Sequence, residues 1–249
     1  MDIEAILVEA ERILQTGDYD AAERVLTAYW PDPTTAPAEA LHTMALIRLN
    51  QNRPAETEQL LRKAVELEPQ SLRHNIALGH FLLEQNDDAG ATDVYAAAMR
   101  IDRTWPELST TYARAAYRSG RHDEAEKAAR YAIELAPSAV AFDVLSCALR
   151  AKGKAKDALA AADEALRLAP QNPGAQHSRG AALLDLGKAN EALAVFDSML
   201  STGADGPALR LGRGKALRSL KRDREAAEAF AEGARRFPND RDLQAAARA

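Results

Sequence analysis

Aromatic side chains are scarce in this sequence, and so are the residues from which disulfides and metal cages are built. Phe, Trp and Tyr make up 5% of the 249 residues, and Cys147 is the one cysteine. A lone thiol excludes an internal disulfide and a cysteine-based zinc site, so nothing calls for an oxidising compartment and a cytoplasmic location is expected. Long apolar runs are missing as well. No stretch reaches the roughly 18 uncharged apolar residues that read as a bilayer span, and Met1-Asp2-Ile3-Glu4 lacks the basic start of a secretory signal. Membrane insertion is therefore not expected. Positive charge is in deficit, 32 Lys and Arg against 37 Asp and Glu, which argues against nucleic acid as a partner, because its phosphates must be neutralised by cations. The deficit is uneven: residues 1–124 carry 12 Lys and Arg against 21 Asp and Glu, whereas residues 125–249 carry 20 against 16.

What is present points to helices. Ala dominates a hydrophobic fraction of 47%, with Leu, Glu, Arg and Lys filling much of the rest, a mixture that favours the α-helix over the strand. The segments GDYDAAERVL (17–26), GRHDEAEKAARYAIELAP (120–137), GKAKDALAAADEALRLAP (153–170) and GKANEALAVF (187–196) repeat one phrase. Counting five residues on from each turn gives Ala22, Thr57, Ala91, Ala125, Ala158, Ala192 and Ala226, with steps of 35, 34, 34, 33, 34 and 34. The turn slot itself holds Gly17, Asn52, Asn86, Gly120, Gly153, Gly187 and Lys221, and Gly and Asn tolerate the left-handed conformation that ends a helix.

This period and pattern resemble the tetratricopeptide repeat, a helix–turn–helix unit with small residues where its helices cross. The small residue of the first helix is Ala10, Ala45, Gly79, Ala113, Ser146, Gly180 and Gly214. Late in the second helix it is Ala64, Ala98, Ala132 and Ala165, with Tyr29, Met199 and Gly233 departing from Ala. The closing proline is present as Pro69, Pro137, Pro170 and Pro238, and is replaced by Thr34, Arg103 and Ala204 elsewhere. Leu82, Leu149, Leu183 and Leu217, with Tyr95, Phe196 and Phe230, are expected to fill the space between neighbouring repeats. The implied fold is an all-α superhelical solenoid of about seven repeats over residues 3–238, approximately 3–36, 38–71, 72–105, 106–138, 139–172, 173–206 and 207–238. Residues 239–249 read as a short capping helix with Asn239 or Asp240 as N-cap.

The sequence carries no recognised catalytic or metal-binding motif. His42, His74, His80, His122 and His177 form no H-E-x-x-H and no Cys/His cluster. LGRGKAL (211–217) is not a phosphate loop, because Leu209 stands where a glycine is needed and Ala216 where a hydroxyl is needed. His122-Asp123-Glu124 falls in the turn and at the start of the second helix of repeat four, and Cys147 reads as a small packed residue. No enzyme activity, cofactor or metal is expected.

The family resemblance places the inner face of the array on the first helix of each repeat. It puts Glu39, His42 and Asn50 there in repeat two, and Arg73, His80 and Glu84 in repeat three. Repeat four contributes Glu107, Thr110, Arg114, Tyr117 and Arg118, and repeat five Asp143, Cys147 and Arg150. His177 and Asp185 follow from repeat six, and Lys215 and Arg218 from repeat seven. The Lys and Asn clamp with which co-chaperones of this family hold a terminal carboxylate is not reproduced: Ile76, His80, Thr110 and Arg114 occupy the corresponding places. Arg114, Arg118, Arg150, Lys215 and Arg218 instead form an inward basic thread, suited to an extended acidic peptide held by bidentate hydrogen bonds. The expected function is a protein-binding scaffold or adaptor. Two alternatives stand beside it. One is the repeat domain of a bacterial modular oxygenase or sulfotransferase; the other is a self-associating array in which acidic and basic ends meet.

Overall fold

The structure is a computed structural model that describes residues 2–248; Met1 and Ala249, the ends of the N-terminal stretch and of the expected capping helix, lie outside the described residues. Among the described residues every regular element is helical, with no strand. In order they are α1 (Ile3–Gln15), α2 (Tyr19–Tyr29), α3 (Ala38–Asn50), α4 (Pro54–Leu67), α5 (Leu72–Glu84), α6 (Asp88–Ile101), α7 (Pro106–Arg118) and α8 (His122–Leu135). They continue with α9 (Ala139–Ala151), α10 (Ala155–Leu168), α11 (Pro173–Asp185), α12 (Ala189–Ser201), α13 (Pro207–Ser219), α14 (Asp223–Arg236) and α15 (Arg241–Arg248).

All seven turn-slot residues adopt positive φ, from 57° at Asn52 to 81° at Gly17 and Gly120. The next residue then closes the helix end. Lys154 N–H donates to Leu149 O at 2.9 Å, Arg121 to Ala116 at 2.8 Å and Lys188 to Leu183 at 2.9 Å, which satisfies carbonyls that the last turn would otherwise leave open. Asp18 and Asp87 accept from the Ala21 and Gly90 amides to start α2 and α6, and Ser138 and Asn172 do the same for α9 and α11. Prolines at the first helical position of α7, α11 and α13 occupy a place where the missing N–H is not needed.

The chain groups into two compact units, Met1–Thr104 and Trp105–Ala249. In the first, α1 packs on α2 and α3, α3 on α4, and α5 on α4 and α6. In the second, α7, α9, α11, α13 and α15 pack each on the next, and each of α8, α10, α12 and α14 wedges between successive members of that row. The aromatic residues expected between repeats are buried: Tyr95 and Phe196 are fully enclosed and Phe230 nearly so. Glycine makes the approach possible. A Cβ on Gly180 would stand 2.6 Å from the Phe196 ring, and one on Gly214 would collide with Phe230, so the ring takes the volume that a side chain would need.

Two departures from the repeat pattern have physical causes. Helix α2 is shorter than the other second helices because Pro31 follows Trp30 and Pro33 opens a 3-10 turn, Pro33–Thr35; a residue before proline is pushed out of the α region. Tyr29 is left exposed at the helix end, where the equivalent Ala64 is fully buried, so the position that departs from Ala in repeat one makes no buried crossing. At Gly233 the reason is Leu243 of α15, which is fully buried and whose Cδ2 would lie 2.8 Å from a Cβ at that position. Asp240 supplies the N-cap of α15, accepting from the Leu243 amide at 2.8 Å.

Candidate functional site

The row of first helices in the second unit brings several residues of the expected groove together. Helices α9, α11, α12 and α13 enclose a hollow of about 480 Å³ whose apolar lining is Ala181, Leu184, Phe196, Ala208 and Leu211. Its polar lining includes Arg150, His177, Asp185, Lys215 and Arg218. A smaller hollow of about 370 Å³ adjoins it at Arg150 and Asp185, and reaches Tyr117 and Cys147. Tyr117, Arg150, His177, Lys215 and Arg218, named from the sequence, are thus joined in one stretch of surface.

Their charges are not equally available. Arg150 Nε donates to Asp185 Oδ2 at 2.7 Å. The Arg218 guanidinium lies 4.7 Å over the centre of the Phe230 ring and its Nη2 donates to Ala246 O at 3.3 Å. Lys215 is exposed and, among the described residues, has neither hydrogen bond nor ion pair. Burial lowers the His177 pKa and the Arg150 charge lowers it further, against a backbone hydrogen bond at Ala208 that favours the charged form; the ring is neutral near pH 7. The basic thread therefore offers Lys215 outright and Arg150 and Arg218 only by exchange with internal partners.

Asp143 belongs to a more enclosed group. Burial raises its pKa, and the Ser178 hydroxyl donates to it at 2.6 Å. Cys147 Sγ lies 3.4 Å from the same hydroxyl. Its thiol is pushed up by burial and then by the Asp143 charge, so the sulfur is a protonated packing group and not a thiolate nucleophile. Burial likewise raises the Tyr117 phenol. Thr110 turns its hydroxyl to Pro106 O in its own helix at 2.9 Å. Arg114 and Arg118 are exposed on α7 but line neither hollow.

Arg73 and His80 lie in the first unit, where Arg73 bonds Glu39 at 2.5 Å and Glu11 at 3.2 Å, and His80 packs its ring 5.9 Å from Tyr95. His42, assigned to the inner face from the sequence, is instead buried. Its Nδ1 stands 3.2 Å from Nδ1 of His74, and burial, with the Arg73 charge, holds its pKa down to about 4. His74 is fully enclosed and faces the carboxylates of Glu39 and Glu68. No motif spacing announces this cluster, because its members come from α3, α5 and the residue after α4. The one available signal is that Glu39 and Arg73 stand one repeat apart.

The tetratricopeptide-repeat family model matches residues 42–105, 110–173, 144–207 and 177–241. Among solved structures, a tetratricopeptide repeat protein from Parabacteroides merdae superposes with a TM-score of 0.77 at 15% identity, over 98% of this chain and 97% of that one. PilW, described as a widely conserved type IV pilus biogenesis factor, gives 0.68 at 16% identity over 84% and 97%. A chain of the APC/C hetero-tetramer Cut9–Hcn1 gives 0.68 at 13% identity over 99% of this chain and 49% of that one. Likeness at such identities shows the fold alone. No curated protein matches the chain in sequence. The family matches cover most of its length, and the helix pairs, positive-φ turns and aromatic plugs follow the same repeat: the chain belongs to the tetratricopeptide-repeat family.

Proposed function

We propose that this chain is an interaction scaffold whose second unit holds an extended, acidic segment of a partner protein along α9, α11 and α13. The fold is suited to protein–protein interaction, and among the described residues no helix is long and apolar enough to cross a membrane. One observation carries the finer reading: Arg150, Lys215 and Arg218 surround an apolar lining in a single hollow. That combination fits a segment with an aliphatic or aromatic side chain flanked by carboxylates. Incoming carboxylates pair with Lys215 directly and can displace Asp185 from Arg150.

The test is selection of peptides from an acidic library on the purified chain, followed by affinity measurement with Arg150→Glu/Lys215→Glu. Loss of at least about tenfold in affinity, roughly 1.4 kcal/mol, supports the reading, as does weakening by salt. Peptides retained equally by the variant would place the binding surface elsewhere.

A further inference from the structure

His74 is wholly enclosed, yet among the described residues its Nε2 has no hydrogen-bond partner. Two carboxylate oxygens stand near it, Glu68 Oε2 at 3.5 Å and Glu39 Oε1 at 3.7 Å. These separations are too long for an N–H···O bond, whose usual distance is about 2.9 Å. They approach the edge of a tetrahedron around a zinc ion, about 3.3 Å when each bond is about 2.0 Å. All three donor atoms lie within 4.8 Å of one another.

The surroundings already orient the set. Arg73 takes Glu39 Oε2 and leaves Oε1 turned to His74. His74 Nδ1 meets His42 Nδ1 at 3.2 Å, so a proton on His74 Nδ1 can be donated to His42 while Nε2 keeps its lone pair. A ligating imidazole is commonly fixed in this way by a hydrogen bond at its other nitrogen. Glu11 and Glu39 share the one guanidinium of Arg73, and Glu68 stands beside His74, which leaves an excess of negative charge. Glu39 and Glu68 are 40% and 52% exposed, so an ion has an entry route and a fourth position open to water.

We propose that Glu39, Glu68 and Nε2 of His74 form an open, three-ligand site for a divalent transition ion of the zinc class. One imidazole and two carboxylates suit Zn2+ and Co2+ over Ca2+ or Mg2+, which take oxygen ligands alone. The site lies in the first unit and is independent of the acidic-segment reading of the second.

The experiment is titration of the chelator-treated full chain with Co2+, read by visible absorption, and with Zn2+, read by calorimetry and thermal melting. Expected are one equivalent of cobalt with the intense bands of low coordination, displacement by zinc, and a rise in Tm with zinc. Glu68→Gln changes an exposed side chain and should leave the fold intact while weakening both ions at least tenfold; His80→Gln should leave binding unchanged. Circular dichroism of His74→Gln separates lost ligation from lost folding. Absence of cobalt absorption at millimolar ion, or affinity unchanged in Glu68→Gln, would overturn the site.

Discussion

Lys221 is the residue at which this sequence most plainly opposes its own backbone. It holds φ of 58° at the turn of the last repeat, where its six equivalents are Gly17, Asn52, Asn86, Gly120, Gly153 and Gly187. A Cβ in the left-handed region costs about 1–2 kcal/mol, part of which a glycine returns through its greater freedom in the unfolded chain. Lys221→Gly should therefore raise stability by roughly 0.5–1 kcal/mol, measured as a shift of the denaturation midpoint at constant slope. Glu126 makes the opposite case, a side chain whose charge the fold favours. It is nearly buried on α8 and accepts from Lys152 at 2.7 Å and Lys154 at 3.1 Å, with Arg130 also on it. Those hydrogen bonds, Lys152 first, lower its pKa from 4.5 to about 2. The folded carboxylate thus holds a proton less readily than the unfolded one, so its contribution is complete above pH 4.5 and disappears as pH falls toward 2. With solvent reaching the lysines, that contribution is roughly 1–2 kcal/mol. Acid unfolding of Glu126→Gln should be flatter through this window than that of the parent chain, and the two curves should converge at its lower end.

Within an element, the legible parts were those set by a few neighbouring residues. Turns could be read because positive φ selects Gly or Asn locally, and crossings because at Gly79, Gly180 and Gly214 a residue without a side chain faces an aromatic ring. Gly214 and Phe230 form such a pair, with the ring occupying the place of a Cβ, and Gly214→Ala should cost about 1–3 kcal/mol by overpacking. Phe230→Leu in the same background should recover part of that loss, as a double-mutant cycle would show. The shortened α2 was less legible, because the pattern carries a seven-unit phase through Tyr29 while Pro31 and Pro33 stop the helix first. The pairing of Arg150 with Asp185 was hidden for another reason. Both were placed on the inner face, but a face assignment does not say which charges on adjacent helices satisfy one another. For the same reason His42 was read as a groove residue when it packs against His74.

Across the molecule, a repeat chain transmits perturbation only as far as neighbouring packing carries it. Helix α15 tests this, because Leu243 is fully buried and packs at Gly233, while Ala246 O holds the Arg218 guanidinium that borders the hollow. Leu243→Ala removes a completely enclosed side chain, for which about 2–5 kcal/mol is the usual range. The loss should be local and not uniform. Amide exchange should accelerate in α13, α14 and α15 and remain slow in α7–α10, since stability in such a chain is held by successive interfaces. Uniform acceleration of exchange throughout Trp105–Ala249 would instead show that this unit unfolds as one block, with its repeats too strongly coupled for the end to open alone.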